Sequence, residues 1–131
     1  MKHKMQEQFL YEYALVRVVP RVEREEFLNV GVILYCAKQK FLKLIYIIEP
    51  SRLHALCPKL DLNELESHLQ ALDKICAGGK DSGPIGSLDL PSRFRWLTAT
   101  RSTIVQTSKV HPGFCTDATA TLEKLYQTMV L

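Results

Sequence analysis

Apolar positions along this chain change their period twice, dividing it into strands, helices and one long loop. The run LYEYALVRVV (10–19), rich in β-branched and aromatic residues and closed by Pro20, reads as a strand. FLNVGVILYC (27–36) reads as a second. Its even positions, Leu28, Val30, Val32, Leu34 and Cys36, form an unbroken apolar face, while Asn29 and Gly31 leave a polar residue and a gap on the other. AKQK (37–40) is short enough for a hairpin into FLKLIYII (41–48), so this part predicts an antiparallel meander.

The period then lengthens. EPSRLHALCP has Pro50 where a helix can begin and Pro58 where it must stop. In LDLNELESHLQALDKICAGG, Leu62, Leu65, Leu69, Leu72 and Cys76 recur at helical spacing; Asp61 and Glu64 form a capping-box pattern and Gly78-Gly79 ends the run. Residues 77–92 carry four of the six glycines and two prolines and read as a surface loop. RFRWLTA (93–99) fits either a short helix opened by Pro91 or an extended segment. STIVQTS (102–108) predicts a strand, HPG (111–113) a turn, and the last helix starts at Thr116 or Asp117, with Leu122, Leu125, Tyr126 and Met129 facing inward. The expected architecture is one α+β domain over residues 1–131. Its mostly antiparallel sheet, a three-strand meander plus one late strand, carries helices packed on one face.

Composition narrows the function classes. With 131 residues, 47% apolar and 24% charged, the chain can bury a core without metal or disulfide. A net charge of +3 falls short of a strongly basic nucleic-acid footprint but excludes neither nucleic acid nor an acidic partner. No apolar run approaches the roughly 20 residues of a membrane span. MKHKMQEQ lacks the pattern of a leader peptide, so the expected location is the cytoplasm. Cys36, Cys57, Cys76 and Cys115 are too far apart for a close metal-binding couple and are read as structural thiols.

Two blocks, YALVRVVPRVEREEFLNVGVILYC and RFRWLTATRSTIVQTSKVHPGFCTDATATLEKLY, resemble a bacterial family, domain of unknown function 3037. The resemblance spans nearly the whole chain and brings no established activity. It implies a small stand-alone bacterial protein. Because some members are encoded beside a HipA-like kinase, it also implies such a kinase as a partner. Thr100 departs from the family pattern, where a proline is expected.

Three polar clusters call for explanation. Between the first two strands, RVEREE (21–26) holds five charges; Arg21 and Arg24 offer forks for a carboxylate or phosphate, and Glu23, Glu25 and Glu26 could neutralise them or act as bases. The bland reading is a solvated turn whose pairs contribute little. Asn29 beside Gly31 suggests a bulge with a bonded amide or a small polar hollow. Arg17 sits among apolar residues and must reach solvent, an acid or a ligand; exposure or internal pairing is the safer reading. The third cluster, residues 100–113, offers Arg101, Ser102, Gln106, Ser108 and His111, a set suited to an anion with His111 as proton donor.

No phosphate loop, zinc-protease pair or nucleophile elbow surrounds these residues, and no cofactor is implied. His54 and His68 are read as surface or core residues, and Phe94 and Trp96 as anchors rather than RNA-stacking platforms. Two classes remain. One is a protein-binding or accessory module. The other is a phosphate-centred protein acting on a nucleotide or nucleic acid, in which Arg21, Arg101 and His111 converge around Asn29 and Glu26. A homo-oligomer joined through a strand edge fits either.

Overall fold

A computed structural model describes residues 7–131. The MKHKMQ segment, on which the reading of the N-terminus partly rests, lies outside the described residues. The meander forms as expected: β1 (Phe9–Val18), β2 (Leu28–Cys36) and β3 (Phe41–Tyr46) pair antiparallel in sequence order. The tight turn between β2 and β3 places Lys40 at φ 50°, where its N–H donates to Ala37 O.

α1 (Pro50–Leu56) and α2 (Leu62–Ala77) follow. Asp61 caps α2 by accepting from the N–H groups of Asn63 and Glu64. The 77–92 stretch is more ordered than its glycines suggest. It holds a 3-10 turn at Lys80–Ser82, a single helical turn α3 (Gly83–Gly86) and the start of α4 (Leu90–Leu97), whose cap Asp89 accepts from Ser92 N–H. Pro91 therefore opens a helix, and RFRW is its body.

The late chain differs most from expectation. The 102–108 strand shrinks to β4 (Val105–Thr107), and HPG is the beginning of a strand, β5 (His111–Cys115). Both pair antiparallel with the same edge of β1: β4 with Val16–Val18, β5 with Phe9–Tyr13. Ser108 joins them. Its hydroxyl accepts from Leu15 N–H and its own N–H donates to Leu15 O, both at 2.8 Å, so the break between β4 and β5 stays bonded to β1. Pro112 is tolerated because β5 is an edge strand. Gly113 is needed because a Cβ there would lie 2.5 Å from the Tyr11 ring. The turn signal in HPG thus reflects a ring-sized gap. α5 (Ala118–Met129), capped by Asp117, completes the chain.

The helices cover both faces of the sheet, not one. On the first face Val16, Val18, Ile33, Tyr35, Leu42 and Leu44 pack against Leu53 of α1, Leu65, Leu69 and Leu72 of α2 and Phe94 and Leu97 of α4. On the second, Val32, Leu34 and Cys36 pack against Ala118 and Leu122 of α5. Leu125 and Tyr126 are half-buried there, whereas Met129, expected to point inward, is exposed.

A bulge decides how β2 serves both layers. Pairing passes from Val16–Gly31 to Arg17–Asn29, so Val30 has no opposite number. The extra residue reverses the alternation: Val30 joins the first face although Val32, Leu34 and Cys36 belong to the second. The unbroken even face expected for this strand does not exist. Gly31 is required at the site because a Cβ would sit 2.7 Å from Ile45 O and 2.9 Å from Tyr46 Cβ on the neighbouring strand.

Candidate functional site

The charged turn is built from short-range bonds. Pro20 ends β1, and Val22–Arg24 makes one 3-10 turn that closes when Glu25 N–H donates to Val22 O with Glu25 at φ 55°. Residues 21–27 are all exposed. Arg24 Nε bonds the Glu26 carboxylate and holds it below the usual carboxylate range. Glu26 therefore stays ionised at neutral pH and is a poor proton acceptor.

The turn stands between two hollows. Pro20, Arg21, Arg24 and Glu26 face Leu56, Cys57 and Pro58 across a cavity of about 260 Å³. Val22, Glu25 and Phe27 face the other way, into a groove of about 470 Å³ that also holds Arg17, Val19, Thr100, Arg101, Ser102 and Gln106. Arg21 and Arg101 thus line different hollows.

The groove lies at the end of β1. Arg17 shares the side of β1 that carries Tyr13 and Leu15 and pairs with Asn29 on one strand and Gln106 on the other. Its guanidinium lies over the Phe27 ring, 3.8 Å from the centroid. Burial lowers its pKa, and its Nε is buried with no hydrogen-bond partner. No carboxylate among the described residues pairs with it. Asn29 behaves similarly: its Nδ2 reaches Met129 O at 3.5 Å, while its Oδ1 is buried and unbonded. Of the two readings of Asn29 and Gly31 the bulge is present and its amide is only half satisfied, while backbone fills the space where the alternative, a small hollow, would lie.

Arg101 is structural in large part. Its guanidinium donates to the carbonyls of Trp96, Leu97 (3.1 Å) and Ala99 (3.4 Å) and stacks over the Trp96 ring at 4.3 Å, so it caps the C-terminus of α4. Two other arginines do the same. Arg93 donates to Ile75 O and Cys76 O, both at 2.9 Å, at the end of α2, and Arg52 to Val130 O at the end of α5. Phe94 is buried in the core as expected, whereas Trp96, expected to anchor the loop to the core, is exposed and carries the capping arginine on its ring.

His111 sits elsewhere. It opens β5 opposite Tyr13 and packs against that ring, 5.3 Å between centroids and tilted by 36°. Position 13 is four residues along β1 from Arg17, about 13 Å at roughly 3.3 Å per residue. Of the expected site residues, the fold brings Arg101, Ser102 and Gln106 together with Arg17. It separates Arg21 and Glu26 from them by the turn, and His111 by four residues of β1. Phe27 was missed as a partner because nothing local signals that a bulge will lay an exposed ring beside Arg17.

An arginine-lined groove at the uncovered end of an antiparallel sheet, flanked by helices on both faces, describes the architecture of this protein. The family model for a protein of unknown function, DUF3037, matches residues 13–130, and the chain belongs to that family. No curated protein and no solved structure matches it.

Proposed function

We propose that this protein is a non-catalytic binding module that takes a protein partner along the open edge of β5. The carrying observation is the cross-strand pair Leu10–Phe114, 52% and 68% exposed, side by side at the sheet edge. Glu12 lies two residues along the same face, held by the Arg95 guanidinium through two 2.9 Å bonds. An apolar centre with a charged rim is the usual make-up of a protein-contact surface. Among the described residues β5 pairs only with β1, so its outer edge is open to strand addition except at Pro112, which has no N–H to donate.

The dispersal of Arg21, Arg101 and His111 supports this reading over a phosphate-centred one, which needs them in one pocket. The first partner to test is the HipA-like kinase suggested by the family resemblance. Self-association through β5 is the second. Cytoplasmic residence fits four cysteines that are all free thiols. No described helix is long and apolar enough to cross a membrane.

The test is co-purification with a co-expressed HipA-like kinase, using the wild-type chain and a Leu10→Asp/Phe114→Asp variant. A complex that survives gel filtration and is lost in the variant, with the unfolding midpoint preserved, is the expected result. Equal capture by both proteins would refute the edge. Nucleotide hydrolysis by the isolated chain that disappears with Arg101→Ala would replace the binding-module reading altogether.

A further inference from the structure

The geometry points to a second, chemically distinct site: the groove of Arg17, Phe27 and Arg101 takes a carboxylate of a partner polypeptide, flanked by an apolar side chain. This deepens the binding-module reading and rests on it only in making the ligand a polypeptide. The groove has both halves of such a site. Arg17 lies over the Phe27 ring and pairs with no carboxylate among the described residues, so its planar fork is held in place and open to two oxygens at once. Around it, Val19, Val22 and Phe27 give apolar lining, and both Val22 and Phe27 are exposed.

The remaining polar groups fit one negative charge. Arg101 donates to the carbonyls that end α4 and Glu25 is opposite in charge, so the formal charges of Arg17, Arg101 and Glu25 in the lining sum to +1. Ser102, an exposed residue, lines the groove. Gln106 Nε2 is held by Thr103 O at 2.9 Å, which leaves its carbonyl oxygen to accept an N–H from a bound peptide. A dianionic phosphate would meet Glu25 with only one uncommitted guanidinium to hold it. At about 470 Å³ the groove is of the size that accepts a side chain or two with a terminal group.

The probes are acetyl-Leu-Leu with a free terminal carboxylate, its C-terminal amide, acetyl-Leu-Asp amide and inorganic phosphate. They are titrated into the full chain while backbone amide shifts and the fluorescence of Trp96, the single tryptophan, are followed. Saturable shifts at Phe27, Ser102 and Gln106 with a carboxylate peptide, and none with acetyl-Leu-Leu amide, are expected. The free-acid peptide binding better marks a chain terminus as the natural ligand; the Asp peptide binding better marks an acidic side chain. Arg17→Gln should weaken binding by about tenfold or more, while Arg17→Lys keeps the charge, loses the fork and falls between. Should Arg17→Gln fail to fold, Ser102→Ala on the exposed rim and the acid-against-amide comparison carry the test.

Equal binding of acid and amide, tighter binding of phosphate, or an unaffected Arg17→Gln overturns the inference. Silent peptides together with partner capture that depends on Leu10 and Phe114 would remove this site and leave the binding module standing. Peptide binding in a chain that captures no partner would do the reverse.

Discussion

The two faces of the sheet are finished differently. Under α1, α2 and α4 the residues are almost all apolar and fully enclosed, with Phe94 stacked on Tyr35 at 5.3 Å between ring centroids. Under α5 the stripe Phe9, Tyr11, Tyr13, Leu15 is only half-buried and ends at Arg17, with His111 and Gln106 beside it. One helix packed chiefly on β2 and β3 leaves the end of β1 and all of β4 uncovered there. The contrast separates residues that hold the fold from residues that the fold presents.

The sharpest probe of that division is a pair of truncations. Phe94→Ala should lower stability by about 3–5 kcal/mol and Leu122→Ala by about 2–3 kcal/mol, because half-exposed neighbours under α5 can relax into the gap. Denaturant midpoints decide it, and a larger loss at Leu122 would invert the comparison. Next is Gly31→Ala, which should cost about 1–3 kcal/mol, since the methyl must displace backbone of β3. Amide exchange should report it first in β3.

The two groove arginines should diverge. Arg101→Gln removes the α4 cap and should cost about 1–2 kcal/mol, whereas Arg17→Leu should change stability by less than about 0.5 kcal/mol, since it also removes an unpaired, partly desolvated charge. Equal losses would mean that Arg17 supports the fold as Arg101 does.

A smaller effect separates the thiols. Burial, with Asp73 adding to it, pushes the Cys76 thiol up to about 12 from the usual 9. A raised pKa means that the unfolded chain loses its proton first, so this contribution is whole below pH 9 and is lost as pH climbs toward 12. At pH 10 the loss is roughly 1.4 kcal/mol, and Cys76→Ala should flatten that alkaline slope whatever it does to stability at neutral pH. Cys57, the one cysteine that is not buried, should be the first to react with a thiol reagent in the native protein.

Most element boundaries were legible because their signals are local. Asp61 and Asp117 cap the helices that their spacing announces, and Pro20, Pro50 and Gly78 punctuate where expected. The bulge at Asn29–Gly31 was legible as a suspicion, through a glycine inside a strand. The misread parts involve contact at a distance. HPG resembles a turn until the Tyr11 ring occupies the space above Gly113. The convergence of Arg21, Arg101 and His111 was inferred from residue type, and residue type says nothing about which carbonyls or rings lie within reach.

By itself the sequence determined the meander, the capped helices, an α+β composition and the oddity of Arg17, since each follows from periodicity and from bonds spanning a few residues. Tertiary structure alone decided that helices would lie on both faces, that β4 and β5 would share one edge of β1, and that Arg101 would close a helix while Arg17 lies over Phe27 with no carboxylate partner among the described residues. The reason is physical: a guanidinium on a long side chain bonds whatever acceptors packing brings near, and packing is settled by the summed burial of the whole chain rather than by any segment of it.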